Sequence, residues 1–430
     1  MGEADTTTRP RPRLAYLTGQ YPMISHTFIL REVEALRALG ADVTTCTIRE
    51  TRAADRPGPA EKEAHATTFI VQKAAFNPLR LARDHLGALT RRPRRYLEAL
   101  LLALKTRPPG LRAFAYQLFY FAEAGALAAH LRRNEIDHLH NHFGNSSCSV
   151  AMLASVIAGI PFSYTMHGPS IFFEPKTWRI DEKIARARFV ACISHFCRSQ
   201  GMLFSDPDHW DRLKIVHCGV DPARYAPGPS RGEKGPQVLF VGRLAAVKGV
   251  RVLIDAFARL ASDHPTARLT LVGDGPDRAA LELAVAKAGL TEQIEFTGYL
   301  SQDAVAETLA NADIFALPSF AEGVPVALME AMASQIPVLA PRVGGVAELV
   351  EDGVHGFVLP PGDVDALASA LDNLLSDPGL RLKMGAEGRA KVESEFTQSS
   401  EAKWLLRLFE CAHSGSLPDA VRPGDARPTR

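Results

Sequence analysis

The sequence predicts an α/β protein made of two doubly wound, parallel-sheet domains in tandem. Three observations carry this. The chain has 430 residues, more than one hydrophobic core usually supports, so two domains of roughly 200 residues each are expected. Short β-rich runs alternate with helical patterns along both halves, the mark of parallel strands joined by crossover helices. The two series are separated by residues 221–235, rich in Pro, Gly and charge, which read as an interdomain linker.

In the first half, strands are expected at 14–19, 43–48, 67–71, 138–143, 162–167, 189–194 and 213–218. In the second they are expected at 237–243, 268–273, 294–297, 313–318, 337–340 and 356–359. Helical patterns at 30–39, 250–261, 278–288 and 366–375 lie between them. Residues 13–225 then form an N-terminal domain, 226–235 the linker proper and 236–395 a C-terminal domain. Within 396–411, Trp404, Leu405, Leu408 and Phe409 are spaced for one helical face, which predicts a terminal packing helix. The ends, 1–12 and 412–430, read as disordered.

Composition excludes several classes. The apolar share of 46% and charged share of 23% describe a folded globular chain, and a formal net charge of +1 gives no argument for nucleic acid. Six cysteines, Cys46, Cys148, Cys192, Cys197, Cys218 and Cys411, follow no C-x-x-C or metal-ligand rhythm and suit reduced thiols in a cytosol. No apolar run reaches the roughly 20 residues of a spanning helix. The expected location is the cytoplasm, at most peripheral on the inner face of the membrane. Arginine outnumbering lysine, with abundant alanine, suits a GC-rich bacterium.

Residues 73–112 break the alternation. They hold ten Lys/Arg against Asp84 and Glu98, with Leu86, Leu89, Leu97, Leu100, Leu101 and Leu104 interleaved. Such a basic amphipathic insertion suits the headgroup zone of an anionic membrane. It equally suits a solvated helical hairpin packing its apolar side on the sheet. Both readings stand at this point.

Two segments carry the chemistry. In the run from Val238 to Gly249, a buried-type strand ends at Gly242 and a turn with Arg243 and Lys248 opens into a helix. Ligands of open α/β sheets sit at the carboxyl ends of strands, so these cations stand where an anion would bind, and both suit phosphate oxygens. In the run from Pro318 to Ala331, another strand passes through a Gly-containing turn into a helix, with Pro325 where a first-turn proline is tolerated. Amides of Gly323, Val324 and Val326 would point from that helix start toward an anion or hydroxyl. Glu322 precedes the helix and Glu330 lies about two turns into it, a spacing that suits two parts of one elongated ligand.

Glu322-x7-Glu330, with Gly242-Arg243 and Lys248-Gly249 upstream, resembles the retaining glycosyltransferases of family 4, which have the GT-B fold. Gly273-Asp274-Gly275, Phe296-Thr297-Gly298-Tyr299, Asp313, Pro318-Ser319, Gly344-Gly345 with Glu348, and Asp352-Gly353 with Gly356 fit that pattern in order over nearly the whole second half. In the first half, Tyr21-Pro22, Ser25, Thr27-Phe28-Ile29 with Glu32, and His140-Asn141-His142-Phe143-Gly144 resemble the subgroup that builds bacterial exopolysaccharides and colanic acid. His26 departs from that subgroup, which has an acid there.

The resemblance implies two Rossmann-like domains facing a central cleft, with the C-terminal helix crossing back to the first. It implies that Arg243 and Lys248 bind the donor diphosphate and that Glu330 bonds the ribose. Glu322, with the segment Gly323, Val324, Pro325 and Val326, would read the sugar hydroxyls. Tyr299 and Leu300 would flank the base, and Asp274 belongs to the same donor set. Gly19 would let the diphosphate approach, since only Gly lacks a blocking Cβ. His167, in Met166-His167-Gly168, would face the reacting sugar. His140 and His142 are acceptor-side candidates that line the acceptor region or simply bridge loops.

Transfer builds negative charge on the leaving phosphate. The literal Asp-x-Asp matches, Asp206-Pro207-Asp208 and Asp363-Val364-Asp365, lie in a proline loop and at a helix start and read as structural. The expectation is therefore a metal-independent hexosyltransferase without cofactor, moving sugar from a UDP- or GDP-linked donor to a glycan or polyprenyl-linked acceptor. Rivals are a sugar-nucleotide epimerase on the same fold, and a non-catalytic glycan-binding scaffold. The four charged residues Arg243, Lys248, Glu322 and Glu330 argue against the scaffold, which needs no phosphate grip.

Overall fold

A computed structural model describes residues 11–23, 26–53, 58–228 and 235–424. The chain divides into two units. The first takes residues up to 192, 198–216 and from 402 on, and the second takes 193–197 and 217–401.

The first unit holds a seven-stranded parallel sheet of β1 (Leu14–Gln20), β2 (Val43–Arg49), β3 (Phe69–Ile70), β4 (His138–His142), β5 (Phe162–Met166), β6 (Val190–Cys192) and β7 (Leu213–Ile215), in the order β3-β2-β1-β4-β5-β6-β7. The second holds a six-stranded one of β8 (Gln237–Val241), β9 (Arg268–Val272), β10 (Ile294–Gly298), β11 (Ile314–Ala316), β12 (Val338–Pro341) and β13 (Gly356–Leu359), in the order β10-β9-β8-β11-β12-β13. All ladders between named strands are parallel. Strand order reverses between β1 and β4 and between β8 and β11, the switch points of two Rossmann-like sheets. Strands buried on both faces print as apolar runs such as Val-Leu-Phe in β8, which is why each expected strand exists. β4 is the exception: His-Leu-His-Asn-His, buried throughout.

The first core gathers Leu14, Tyr16, Val33 and Phe189 with Trp404, Leu405, Leu408 and Phe409 from the terminal helix Gln398–Ser414. Trp404 Nε1 donates to Ile215 O over 2.9 Å. Disorder expected from residue 412 gives way to structure: the helix runs to Ser414, and Ile215 N donates to Val421 O at 2.9 Å. β7 thus offers backbone groups that this segment satisfies.

Within the expected linker, 221–235, residues Asp221 to Tyr225 fold as an ordered turn. Residues His217–Glu401 belong to the second unit. Asp221 caps a short turn by accepting from Ala223 N, and Tyr225 is 2% exposed. Composition does not distinguish a linker from a surface turn anchored by one buried aromatic ring. Residues 229–234 lie outside the described ones.

The basic insertion forms the helices Val71–Ala75, Pro78–Arg91, Pro93–Thr106 and Leu111–Arg133. Their buried face includes Val71, Ala88, Ala99, Leu102, Ala103, Phe121, Leu127 and Leu131. Asp84, 3% exposed, accepts from Arg133 Nη1 at 3.1 Å. Leu79, Leu86, Leu97, Leu101 and Leu111 are 50–89% exposed. The insertion therefore packs as helices and also keeps an apolar outer face. Among the described residues no helix is long and apolar enough to cross a membrane.

Candidate active site

In the second unit the predicted donor residues follow consecutive strand ends. Arg243 lies two residues beyond β8, Asp274 two beyond β9, Tyr299 directly after β10, and Glu322 on the loop after β11. Arg243 and Glu322 therefore flank the switch between β8 and β11. The loops are tied by Phe320 N donating to Val247 O over 2.8 Å. Gly249 stands where the turn meets the helix Val250–Leu260; its φ is +61°, and a Cβ there would lie 2.2 Å from Pro318 O. Only glycine allows that approach.

The charges meet in pairs. Lys248 Nζ donates to Glu322 Oε1 over 2.6 Å. Glu322 and Glu330 are each 8% exposed, and Glu330 Oε1 accepts from the Tyr225 hydroxyl at 2.8 Å. Buried carboxylates need such partners. Arg243 is exposed. Tyr299 is exposed, with its hydroxyl 3.3 Å from the Asp274 carbonyl, and Leu300 is half-buried.

The loop carrying Gly323, Val324 and Pro325 is buried, and it leads into the helix Val326–Ala333 with Pro325 as the residue before its first turn. No side chain caps that helix start, so its first amides lack the partner a Ser or Asp would supply. Behind the loop, Gly345 N donates to Gly323 O at 2.8 Å. At Gly344, φ +54°, a Cβ would fall 1.8 Å from Glu322 O. The Gly-Gly pair is thus the floor under the acid loop.

The first unit carries the histidines. β4 and β5 pair with His140 opposite Ser163 and His142 opposite Thr165. Consequently His140 Nδ1 lies 2.8 Å from Ser163 Oγ and its Nε2 2.9 Å from Thr165 Oγ1. His142 Nδ1 lies 3.0 Å from His167 Nε2, and its Nε2 3.2 Å from Glu32 Oε1, which also accepts from the Tyr16 hydroxyl at 2.8 Å. Phe28 and Phe143 hold His167 between rings with centroids 4.9 and 4.7 Å away. Phe143 has φ +70°, and Asn141 Nδ2 secures that turn by donating to the carbonyls of His142 and Phe143 at 2.9 and 2.7 Å.

Burial, then neighbouring histidines, pushes His140 and His167 well below the usual imidazole range. Burial and then His142 bring His26 down to about 4. Burial, then the Glu32 carboxylate, raises the Tyr16 hydroxyl well above its ordinary value. His140 and His142, read as acceptor-side candidates, are 0% exposed. Their strand is buried throughout, and both rings face interior partners. Gly19, near the end of β1, has no atom within 4 Å of where a Cβ would be.

Among the described residues, Glu32, His140 and His142 form a group whose ligand-type atoms lie within 4.8 Å of one another. Both nitrogens of His140 already face hydroxyls, and those of His142 face Glu32 and His167. Asp206 accepts from Asp208 N at 3.0 Å and Asp363 from Ala366 N at 2.9 Å, so each Asp-x-Asp opens with a helical cap.

Sequence reasoning missed Tyr225 and the Glu32 network. An aromatic residue alone in a polar, proline-rich run was a signal for the first. Nothing local signalled the second, because it depends on the β4–β5 register.

The pattern of Glycosyltransferase Family 4 matches residues 25–224, and that of the Glycosyl transferases group 1 matches 225–391. The amylovoran biosynthesis glycosyltransferase AmsK of Erwinia amylovora is 27% identical over 93% of this chain and 99% of its own. The 2-deoxystreptamine glucosyltransferase of Streptomyces kanamyceticus is 30% identical over 60% of this chain and 72% of its own. The crystal structure of Anabaena Alr3699/HepE in complex with UDP-glucose superposes with a TM-score of 0.69 at 19% identity, over 91% of this chain and 98% of that one. With two doubly wound parallel sheets, as expected, and family patterns adjoining across both halves, the chain belongs to glycosyltransferase family 4, among the group 1 transferases.

Proposed function

We propose that this glycosyltransferase moves a hexose from a UDP- or GDP-linked donor to a glycan or polyprenyl-linked acceptor, with retention of anomeric configuration and without a metal, in the building of exopolysaccharide or other cell-surface polysaccharide. The observation that carries it is the Lys248–Glu322 pair of 2.6 Å beside the β8/β11 switch, where one phosphate-type cation touches one sugar-type acid. Arg243 and Lys248 stabilise charge growing on the diphosphate as the C1–O bond breaks. Glu322 and the amides from Gly323 to Val326 hold the sugar hydroxyls, Glu330 holds the ribose, and Tyr299, Leu300 and Asp274 lie toward the base. By the family resemblance, Gly19 admits the diphosphate and His167 faces the reacting sugar.

In a front-face displacement the acceptor oxygen bonds C1 on the side the diphosphate leaves. The acceptor proton passes to the departing phosphate oxygen, so no dedicated base is required. The similarity to an amylovoran-biosynthesis transferase supports the polysaccharide setting. The UDP-glucose complex of a protein of the same fold supports a UDP-sugar as the first donor to try.

The exposed leucines of the 73–112 helices, among ten Lys/Arg, support a peripheral contact with an anionic bilayer at the inner face of the cytoplasmic membrane. A polyprenyl-linked acceptor would be met there. The deciding experiment is a thermal-shift panel of UDP- and GDP-sugars with the full chain, since a ligand of the folded state raises Tm. One sugar nucleotide raising Tm, with the shift lost in Lys248→Ala, is the expected outcome. No shift with any of them would overturn the proposal.

A further inference from the structure

We propose that Arg389, acting through Tyr225, fixes the carboxylate of Glu330, which makes Arg389 a positioning residue for the nucleotide. The inference rests on Glu330 being the ribose acid, and all of its geometry lies in the second unit. Arg389 stands on the helix Pro378–Glu395. Its Nη1 donates to the carbonyl of Tyr225 over 2.6 Å and to that of Ala333 over 2.7 Å, and its Nη2 to that of Pro222 over 3.3 Å. Its Nε donates to Glu393 Oε1 at 2.7 Å. The Tyr225 hydroxyl closes the circuit by donating to Glu330 Oε1 at 2.8 Å.

Each contact answers a local need. Ala333 ends the helix Val326–Ala333 that carries Glu330, and the last carbonyls of a helix find no partner within it. Those of Glu330, Ala331 and Met332 accept from the backbone amides of Ser334, Ile336 and Gln335, and that of Ala333 accepts from Arg389. A cation at a helix C-terminus is favoured by the helix dipole as well. Pro222 opens the turn Pro222–Arg224 that leads into Tyr225. One planar guanidinium with its donors in a fixed fork therefore sets the spacing between that turn and the helix end. The approach is close because Gly385 lies one turn before Arg389: a Cβ there would fall 2.2 Å from the carbonyl of Gln335.

That spacing decides where the Tyr225 hydroxyl points. Tyr225 and Glu330 are both buried, and a buried carboxylate is costly unless it is hydrogen-bonded. A phenol has one hydrogen to give, and its aim follows the backbone that carries the ring. Tyr225 and Glu330 are 105 positions apart, so chain connectivity does not keep them in register. Arg389 does so by holding the Tyr225 carbonyl on one side and the helix end, three residues past Glu330, on the other. A lysine would keep the charge and lose the planar fork that spans both sides. An arginine that only stabilised the fold would raise Tm and leave ribose recognition untouched.

The test titrates the full chain calorimetrically with UDP and GDP and with their 2′,3′-dideoxy forms. Whichever diphosphate binds should bind the wild type more tightly than its dideoxy form does, and Glu330→Ala should abolish that preference. Arg389→Met should weaken the diphosphate about tenfold, the scale of one hydrogen bond to a charged group, and leave the dideoxy form within about twofold. Arg389→Lys should recover part of the loss. In a Tyr225→Phe background Arg389→Met should change affinity by less than about twofold, because both substitutions break the same chain of contacts. Wild-type preference in Arg389→Met, or losses that simply add in the double variant, would overturn the inference; if Glu330→Ala has meanwhile lost the preference, the ribose reading stands. Undiminished preference in Glu330→Ala, or no binding of either diphosphate, would sink the ribose reading and the inference together. If Arg389→Met does not fold, Arg389→Lys, alone and with Tyr225→Phe, decides by the same ratio.

Discussion

The Tyr225 hydroxyl donates to Glu330 Oε1 over 2.8 Å, tying the start of the second unit to the helix Val326–Ala333, whose Glu330 is the acid proposed to hold the ribose. Tyr225 is itself held from behind, since Arg389 Nη1 donates to its carbonyl at 2.6 Å. Glu330 thus enters the site already oriented. Tyr225→Phe keeps the ring in the core and removes only the donor. A lost hydrogen bond to a charged group is worth about 1.5–3 kcal/mol, so donor affinity should weaken roughly 10- to 100-fold while the fold persists. Calorimetric titration with the sugar nucleotide checks this, and unchanged affinity would free Glu330 of its assigned role.

Lys248 pairs with Glu322, and in the proposed function it exchanges that partner for the donor diphosphate. Lys248→Ala should lower donor affinity and also leave Glu322, 8% exposed, without its cation. Tm should fall as well, because a buried charge that loses its partner is costly. Glu322→Gln keeps the volume and should lower mainly kcat. If Lys248→Ala binds donor as the wild type does, the phosphate grip is assigned to the wrong side chain.

At Gly19 a methyl group would meet nothing within 4 Å. Gly19→Ala should therefore leave Tm within about 2 °C of the wild type, because surface-type substitutions stay within about 0.5 kcal/mol. Turnover should drop at least tenfold if the donor occupies that space. Full activity in a normally folded Gly19→Ala would show that the diphosphate does not pass there.

Acid should loosen the first unit. Burial is the leading influence on His26, His138, His140 and His167, bringing His26 to about 4 and His138 to about 3, and the other two well below 6.5. In the unfolded chain all four take up a proton near pH 6.5. Below that pH the unfolded state binds protons that the folded state refuses, so stability present in full above about 6.5 is lost as pH falls toward 4. Tm followed from pH 7.5 to 4.5 should decline steadily below about 6.5. A flat profile would mean that these rings are not buried as neutral species.

EDTA should leave the rate of sugar transfer within about twofold if, as proposed, Arg243 and Lys248 supply the positive charge that a metal otherwise provides. Complete loss, restored by manganese, would overturn the metal-free reading.

The strands were legible because buried parallel strands print as short apolar runs, and the pairing of Lys248 with Glu322 was foreshadowed by two strand–turn–helix junctions of the same type. Tyr225 was hidden because residues 221–235 have the composition of a linker, and one buried ring within it leaves no periodic trace. The burial of His140 and His142 was hidden for a related reason. Alternation places them on one face of a strand, but only the register with Ser163 and Thr165 reveals that this face is interior. Glu32 was noticed as a motif residue, yet its partner lies more than a hundred positions away, beyond any local pattern.

Trp404, Leu405, Leu408 and Phe409 fill the core that Leu14, Tyr16 and Val33 begin. During synthesis the ribosome must therefore make the whole second unit before the first can be completed. Until those last aromatic residues emerge, the early sheet has an uncovered apolar side, a species prone to self-association and to capture by chaperones. A premature stop just before residue 402 would remove no strand of either sheet and still leave the nascent N-terminal part unable to mature.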